Sequence, residues 1–358
     1  MGNQVKPELL SPEEVAKLMG DNPGLELKDI LKIQSDELSR IKHPSGETAG
    51  DVSFPEEVHV FYPWLGTILR CVGEQDLLTI RTNRNRELIS ADEQKKLRES
   101  VVGVAGMSVG SSIAMALVYS GMARTIKIAD NDILDTSNLN RLRESLVNIG
   151  LPKVDLTARH IYELDPFADV RLYGDGVTAE NIDSFFEGLD LIIDEIDDFK
   201  MKVMMRKKAK ESGVPLLMMT SLGDNILIDI ERYDTEPDTR PFNGLLHDDG
   251  QEILDNPNID PSAVRRYSVE VVGAEYIPTK ALQSVAQMGK TLVGRPQLYT
   301  TIAIDGGLAG FISRHILLGS PIKSGRYFVR FADLVGLEAS DLESNDQRQE
   351  ILQKLMGQ

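Results

Sequence analysis

The segment VVGVAGMSVGSSIAMALVYSGMARTIKIADND, residues 101–132, carries the clearest structural signal in the chain. A short β-branched run, Val101 to Ala105, leads through Gly106 and Gly110 into an apolar helical pattern. A second strand-like run, Thr125 to Ala129, is followed by Asp130. Backbone N–H groups at such a helix start favour a phosphate, and an acid after the second strand can accept from ribose hydroxyls. The segment therefore predicts a strand, turn and helix that bind a nucleotide.

Strand-like and helical patterns alternate on the carboxyl side of this segment. Residues 153–164 and 199–212 have helical patterns, and residues 189–193 and 216–219 are buried-strand runs. Such alternation predicts an α/β fold, a Rossmann-like, doubly wound and mostly parallel sheet with helices on both faces. ILIDIERY, residues 226–233, follows without a helix, so we expect an antiparallel C-terminal extension of the sheet.

Changes in composition and rhythm divide the chain into six segments. The predicted segments are a loosely packed helical leader (1–57), an N-terminal helical and dimerisation segment (58–100), a nucleotide-binding α/β core (101–233), a crossover loop (234–278), closing helices and a strand (279–334), and a polar C-terminal tail (335–358). Ser90 and Glu93 predict a capping box at the start of a helix just before the core.

Charge and cysteine content narrow the function classes. The chain has 56 acidic and 39 basic residues, a net charge of −17, so its surface repels phosphate backbones and a nucleic-acid partner is unlikely. The single cysteine, Cys71, cannot form an internal disulfide, and no CxxC pair is present to hold zinc, which favours a cytoplasmic location. No charged residue lies between Val101 and Ala123, a stretch long enough to span a membrane. The glycine turn within it argues against a membrane-spanning helix.

The glycine turn alone fits several kinds of protein. It is compatible with a strand-to-helix turn that binds nothing, and Gly106 to Gly110 also spells the GxSxG nucleophile elbow of hydrolases. Few strand signals precede Ser108, which counts against the elbow. A dinucleotide site of the dehydrogenase kind is the third alternative, but ADNDILDTSNLNRL, residues 129–142, adds a polar and charged cluster that such a site does not need.

Several spaced motifs together resemble the ubiquitin-activating and ThiF/MoeB-like adenylating enzymes, over residues 84–334. The resemblance is carried by the glycine loop, by D-x-D at Asp130 and Asp132 followed by SNLNR at 137–141, by Pro152 with Lys153, and by DEIDD at 194–198. A triphosphate attacked at its α-phosphate gathers negative charge, so such a site needs fixed cations and a metal-holding acid.

The resemblance implies a role for each matching residue. Asp130 corresponds to the ribose ligand, Asn138 and Arg141 to phosphate contacts, and Lys153 to the phosphate-binding lysine. Asp197 corresponds to the acid that holds Mg²⁺ and serves adenylation, and Arg86 to an arginine that a neighbouring subunit contributes. The complete predicted set is Arg141, Lys153, Asp197 and Arg86 as catalytic residues, Asp197 as the metal ligand, and Gly106, Ser108, Gly110, Asp130, Asp132 and Asn138 as nucleotide ligands.

The implied activity is adenylation of a carboxylate with ATP and Mg²⁺, giving an acyl adenylate. The carboxylate is the C-terminus of a protein or peptide, or a small molecule, and no cysteine follows the sheet to take the acyl group. We expect a homodimer that needs no zinc and no membrane. Two alternatives remain: an NAD(P)-binding redox protein, or a catalytically silent ThiF-like partner subunit.

One cluster of charges is predicted to have no functional role. A basic run on the 199–212 helix is typical of a solvated helix face. Its members are Lys200, Lys202, Arg206, Lys207, Lys208 and Lys210.

Overall fold

A computed structural model describes residues 4–46, 55–256, 261–273, 276–337, 350, 351 and 353. The strands are β1 (Glu8–Leu10), β2 (Glu26–Asp29), β3 (Glu57–Tyr62), β4 (Thr67–Val72), β5 (Val101–Ala105), β6 (Thr125–Ala129), β7 (Asp169–Tyr173), β8 (Leu191–Asp194), β9 (Leu216–Ser221), β10 (Asn225–Glu231) and β11 (Gly325–Arg330). The α-helices are α1 (Pro12–Asp21), α2 (Leu31–Lys42), α3 (Glu74–Thr82), α4 (Ala91–Glu99), α5 (Val109–Tyr119), α6 (Lys153–Leu164), α7 (Ile182–Phe186), α8 (Phe199–Ser212), α9 (Gln251–Asp255), α10 (Pro261–Val272), α11 (Thr279–Gln287), α12 (Tyr299–Leu317) and α13 (Phe331–Leu334).

The larger sheet has seven strands in the order β11-β10-β9-β8-β5-β6-β7. The five strands from β9 to β7 are parallel, and β10 and β11 are antiparallel, which confirms the predicted doubly wound sheet and its antiparallel extension. The chain moves from β5 outward to β6 and β7 and then returns to β8 on the other side of β5. Ligands bind at the carboxyl ends of the strands beside such a reversal, so this topology places a crevice beyond β5 and β8.

Each face of this sheet is covered by its own apolar layer. On one face, residues of α5, α6 and α12, such as Ile113, Ile161 and Ile302, bury their side chains against the strands. On the other face, Phe185 of α7 and Val203 of α8 do the same. Two buried faces explain why the central strands are continuous apolar runs without alternation.

The N-terminal region differs from the helical leader and helical segment that we predicted. β1, β2, β3 and β4 form a second sheet of four strands in the order β1-β3-β4-β2. Val60 and Tyr62 point into the same small core as Cys71, because alternate residues of a strand share a face. Tyr62 Oη donates to Tyr162 O at 3.2 Å, and Trp64 Nε1 donates to Glu163 at 2.6 Å, so this sheet is packed against the larger domain.

The segments on either side of the core follow their predictions in different degrees. The capping box before the core is confirmed, because Ser90 Oγ accepts from the Glu93 N–H at 3.3 Å and Glu93 accepts from the Ser90 N–H. The crossover segment contains α9 and α10, with residues 257–260 and 274–275 outside the described part. Most of the predicted tail also lies outside it, since only residues 350, 351 and 353 are described beyond 337. Within the described part, no helix has the length and apolar character that crossing a membrane requires.

Candidate active site

A cleft of about 730 Å³ opens at the carboxyl ends of β5, β6, β8 and β9, where the topology predicts a binding crevice. Eight of the predicted site residues line it: Gly106, Ser108, Asp130, Asp132, Asn138, Arg141, Lys153 and Asp197. They come from loops that are far apart in sequence, and the parallel sheet brings them together.

The first wall of the cleft is the turn between β5 and α5. Gly106 has a φ of +92°, and a Cβ at this position would lie 2.4 Å from the carbonyl oxygen of Glu195. Only glycine fits, because the backbone conformation and the neighbouring strand both exclude a side chain. Gly110 does not line the cleft. A Cβ there would lie 2.9 Å from Val104 Cγ1, so Gly110 allows α5 to pack closely on β5.

Ser108 stands at the N-cap of α5, beside the helix N–H groups that face the cleft. Its side chain makes no capping bond, and the first turn of α5 contains no acid, so the positive end of the helix is left for an anion. Ser108 Oγ lies 3.4 Å from Arg141 Nε. A guanidinium cannot act as a base, so this geometry gives no support to a nucleophile elbow.

Asp130 connects the glycine turn with the loop that follows β6. One carboxylate oxygen accepts from the Met107 N–H, and the other accepts from the Asp132 N–H at 2.7 Å. Burial raises the pKa of Asp130, and these two N–H groups and Lys153 oppose that rise. Each oxygen keeps a lone pair, so the carboxylate can still accept from a ligand hydroxyl.

Two cations reach the cleft from the segment that follows Asp130. Lys153, the first residue of α6, is buried and places its Nζ 2.7 Å from Asp132 Oδ2. Arg141 is held by Asn140 Oδ1 at 3.0 Å and by Ser137 O at 3.3 Å. Burial lowers the pKa of Arg141, and Asp197 opposes that shift. Both side chains are thus fixed before any ligand arrives.

Asn138 is also buried at the cleft, but its amide has a structural bond. Its Oδ1 accepts from the Asp135 N–H at 3.1 Å and closes the turn that presents Arg141. The predicted phosphate contact at this position therefore coexists with a role in shaping the loop.

The acidic segment after β8 divides into residues with different environments. Asp197 is exposed in the cleft, whereas Asp198 is the N-cap of α8 and accepts from the Met201 N–H at 2.9 Å. Glu195 accepts from the Met219 N–H at 2.9 Å. Burial raises the pKa of Glu195 well above its ordinary value, although Lys202 opposes that rise. The sequence pattern did not indicate that Glu195 faces the cleft.

The prediction of a solvated basic face on α8 is wrong at Lys202 and Arg206. Arg206 is 0% exposed and lies 2.6 Å from Asp194, and Lys202 lies 3.0 Å from the same carboxylate. An acid that ends a buried strand needs a counter-ion, and residues four apart on the following helix can supply two. The acid at the end of the β8 run was the signal that could have revealed this pairing.

Two further arginines differ in their position relative to the cleft. Arg86 lies outside the cleft, in a turn before α4 that forms an isolated bridge with Ile89. Arg295 also lines the cleft. It was not predicted, because it lies in an irregular segment between α11 and α12 that carries no motif. A second cavity of about 1020 Å³ adjoins the cleft, and Ser221, Val272 and Arg295 line both.

Part of the chain is similar to known proteins. The ThiF family matches residues 82–225. Uncharacterized protein MT1398 of Mycobacterium tuberculosis (strain CDC 1551 / Oshkosh) is 37% identical over 267 residues, which cover 74% of this chain and 37% of that protein. The tRNA threonylcarbamoyladenosine dehydratase of Bacillus subtilis (strain 168) is 30% identical over 177 residues, covering 47% of this chain and 69% of that protein.

A solved structure supports the fold assignment. The crystal structure of selenomethionine PaaA superposes with a TM-score of 0.52 at 18% identity, over 73% of this chain and 80% of that one. At this identity the likeness concerns the fold. The chain spans little more than a third of the length of MT1398, the Mycobacterium tuberculosis relative.

Proposed function

The chain belongs to the ThiF family, and from that premise we propose that it activates a carboxylate with ATP. One observation carries the proposal: the glycine turn at Gly106, the cations Arg141 and Lys153, and the acid Asp197 share one cleft. A family resemblance alone would not require these four elements to converge.

The proposed reaction is attack by a carboxylate oxygen on the α-phosphorus of ATP, with release of pyrophosphate. The N–H groups of α5 and the charges of Arg141 and Lys153 would stabilise the negative charge that grows on the phosphates. Asp130, which follows β6, would accept from the ribose hydroxyls. Because these groups are already held by the protein, little reorganisation opposes the reaction.

The cleft also fits the magnesium ion that accompanies ATP. Within the described residues no group of three His, Cys, Asp or Glu could hold a metal ion. Mg²⁺ bound with a nucleotide needs only one or two protein carboxylates, since phosphate oxygens and waters complete its shell. Asp197, exposed in the cleft, would be that ligand, and the bound ion would neutralise charge on the phosphates.

The second cavity suggests how the carboxylate reaches the nucleotide. Its walls are mainly apolar, with Ile277, Val285 and Phe331 among them, and Arg295 stands where it meets the cleft. A carboxylate entering through this cavity would meet a cation beside the α-phosphate. The substrate is a protein or peptide C-terminus or a small molecule, and the net charge of −17 makes a nucleic acid less suitable.

The proposed reaction does not use a cysteine thiolate. Cys71, the only cysteine of the chain, is buried in the four-stranded sheet, and burial raises its pKa to about 11. A thiol in that state is mostly protonated and is a poor nucleophile.

We further propose that the active form is a homodimer. Exposed apolar side chains lie on the packed helices α5 and α12, where Tyr119 is 57% and Phe311 52% exposed. Val147, in the segment between β6 and α6, is 86% exposed. Exposed apolar surface of this kind favours association with another protein surface. In such a dimer Arg86, which lies outside its own cleft, would be available to the cleft of the partner.

The test is ATP–pyrophosphate exchange across a panel of carboxylates, compared with binding of Mg-ATP and NAD(H). We expect a thermal shift with Mg-ATP, none with NAD(H), and exchange with at least one carboxylate. Arg141→Ala should lose about 100-fold or more in exchange. Arg171→Ala, on an exposed ion pair with Asp169, is the matched control. Binding of NAD(H) without Mg-ATP would instead support a redox protein, and Mg-ATP binding without any exchange a silent partner subunit.

A further inference from the structure

A serine and a buried acid meet at the boundary between the two cavities. Ser221, the last residue of β9, donates its hydroxyl to Asp305 Oδ2 of α12 at 2.5 Å. Ser221 lines both the cleft and the adjoining apolar cavity. The proposed adenylation gives this hydroxyl no role, although it lies where nucleotide and carboxylate would meet.

The environment of Asp305 is unusual for an acid with only a packing role. The side chain is 0% exposed, and among the described residues its Oδ1 has no hydrogen-bond partner. Buried carboxylates are normally paired with cations or fully hydrogen-bonded, because an unpaired buried charge is costly. Burial raises the pKa of Asp305 to about 7, against the opposing effects of Ser221 and Arg295. A carboxylate of this kind is suited to accept a proton near neutral pH.

Close packing holds both residues in place. Thr301, one turn before Asp305, donates its hydroxyl to Gly223 O, which ties α12 to the turn after β9. A Cβ on Gly306 would lie 3.0 Å from Ser112 O, so α12 is also in close contact with α5. The serine and the acid therefore belong to a rigid part of the fold.

We propose that Ser221 accepts the acyl group from the acyl adenylate, with Asp305 as the general base that takes its proton. The inference rests on the proposed adenylation. Ser221 Oγ forms a bond to the carbonyl carbon, the bond from that carbon to the AMP oxygen breaks, and AMP leaves with the electron pair. The hydroxyl proton passes to Asp305. An amine or hydroxyl group of the acceptor then attacks the ester and loses its proton to solvent, the bond from the carbonyl carbon to Ser221 Oγ breaks, and Ser221 recovers its proton from Asp305.

The chemistry of this chain favours an oxygen acceptor over sulfur. The only cysteine lies in the other sheet, so no thiol reaches the cleft. Ser108, in the glycine turn, is close to Arg141, and among the described residues no base is hydrogen-bonded to its hydroxyl. Ser221 donates a hydrogen bond directly to a carboxylate, and an adjacent base of this kind can activate a hydroxyl as a nucleophile.

The test uses diisopropyl fluorophosphate on the full chain, since this probe modifies base-activated serines and needs neither ATP nor a carboxylate. Intact-mass measurement and peptide mapping should show one diisopropylphosphoryl group, attached to Ser221 of the wild type. Asp305→Asn keeps the shape and removes the base, so labelling should slow on the order of 100-fold. Ser313→Ala removes a fully buried serine of α12 that is not bonded to Asp305, and this variant should label as the wild type does.

Three results would overturn the inference: an unmodified Ser221 in the folded wild type, labelling confined to another serine, or Asp305→Asn labelling at the wild-type rate. Circular dichroism and melting temperature show whether Asp305→Asn folds. The mapping of the wild-type label does not depend on that variant. Mg-ATP binding by unlabelled protein tests the proposed function separately, so the two can fail independently.

Discussion

Arg206 Nη1 lies 2.6 Å from Asp194 Oδ2, and neither side chain is reached by solvent. The same guanidinium has its Nε 3.0 Å from Glu231 Oε2 and lies over the ring of Phe242, 3.8 Å from its centroid. Burial alone would raise the pKa of Asp194, but Lys202 and Arg206 outweigh burial and hold it below its ordinary value. Because Asp194 begins the loop that carries Asp197, this buried network fixes one wall of the cleft.

Replacing Arg206 with methionine should therefore destabilise the protein strongly. Two buried carboxylates lose their shared cation, and breaking a buried pair in this way costs about 3 to 5 kcal/mol. Lys200→Met, on the exposed side of the same helix, should change the free energy of unfolding by less than about 0.5 kcal/mol. Urea denaturation of both variants measures this. Equal losses in the free energy of unfolding would mean that the buried ion pairs of Arg206 do not stabilise the protein.

A pair of glycines separates the effect of backbone conformation from that of crowding at the cleft. Gly106 and Gly150 have similar positive φ values, +92° and +88°, but only Gly106 has neighbouring atoms where a Cβ would stand. Gly150→Ala should cost about 1 to 2 kcal/mol for its conformation. Gly106→Ala should add about 1 to 3 kcal/mol of overpacking and also weaken Mg-ATP binding, because the turn must shift away from Glu195.

Thermal denaturation and calorimetric titration with Mg-ATP measure both quantities in the two alanine variants. If Gly106→Ala bound Mg-ATP as the wild type does, the turn would not be part of the nucleotide site. If Gly150→Ala were the more damaging change, the contact with Glu195 would not be the source of strain.

Local periodicity was sufficient to predict much of the larger domain. The strands at 101–105 and 125–129 and the helices at 153–164 and 199–212 have the bounds that their patterns predicted, because both faces of the sheet impose apolar repeats. The four-stranded sheet was missed because its strands are short and half-exposed, and β2 pairs in parallel with β4, a partner distant in sequence. Arg295 and Asp305 could not be predicted as cleft neighbours, since only the folded chain brings them beside β9.

Arg86 provides a direct test of whether one subunit completes the cleft of another. Arg86→Ala and Asp197→Asn should each be inactive in pyrophosphate exchange with a carboxylate that the wild type uses. Mixed and allowed to re-associate, they should recover about a quarter of wild-type activity, since half of the dimers are mixed and each has one intact cleft. Recovery fails if Arg86 acts within its own subunit.

The control for this mixture is a dimer-breaking variant. Phe311→Glu places a charge on the exposed apolar surface of α12, so it should shift the protein toward monomer in analytical ultracentrifugation and abolish the recovery. If Phe311→Glu left the mass of the assembly in solution unchanged, the dimer would use a different surface.

The buried Asp305 should leave a signature in the pH dependence of stability. Its pKa is raised from an ordinary 3.8 to about 7, so between these values the folded state holds a proton that the unfolded state has lost. The free energy of unfolding should therefore fall as pH rises through this window, by up to about 1.4 kcal/mol per pH unit. Asp305→Asn cannot titrate and should escape this loss.

Urea denaturation of wild type and Asp305→Asn at intervals from pH 4 to 8 measures the difference directly. Glu195, Arg295 and Ser221 interact with Asp305 and are present in both proteins. Because Asp305 also raises the pKa of Glu195, the difference between the two proteins reports Asp305 together with its effect on Glu195. The two stabilities should converge near pH 4, and the advantage of Asp305→Asn should grow until about pH 7 and then level off. A difference that stayed constant with pH would mean that Asp305 keeps one protonation state over this range. Asp305 could then not take the proton of Ser221, which the proposed acyl transfer requires.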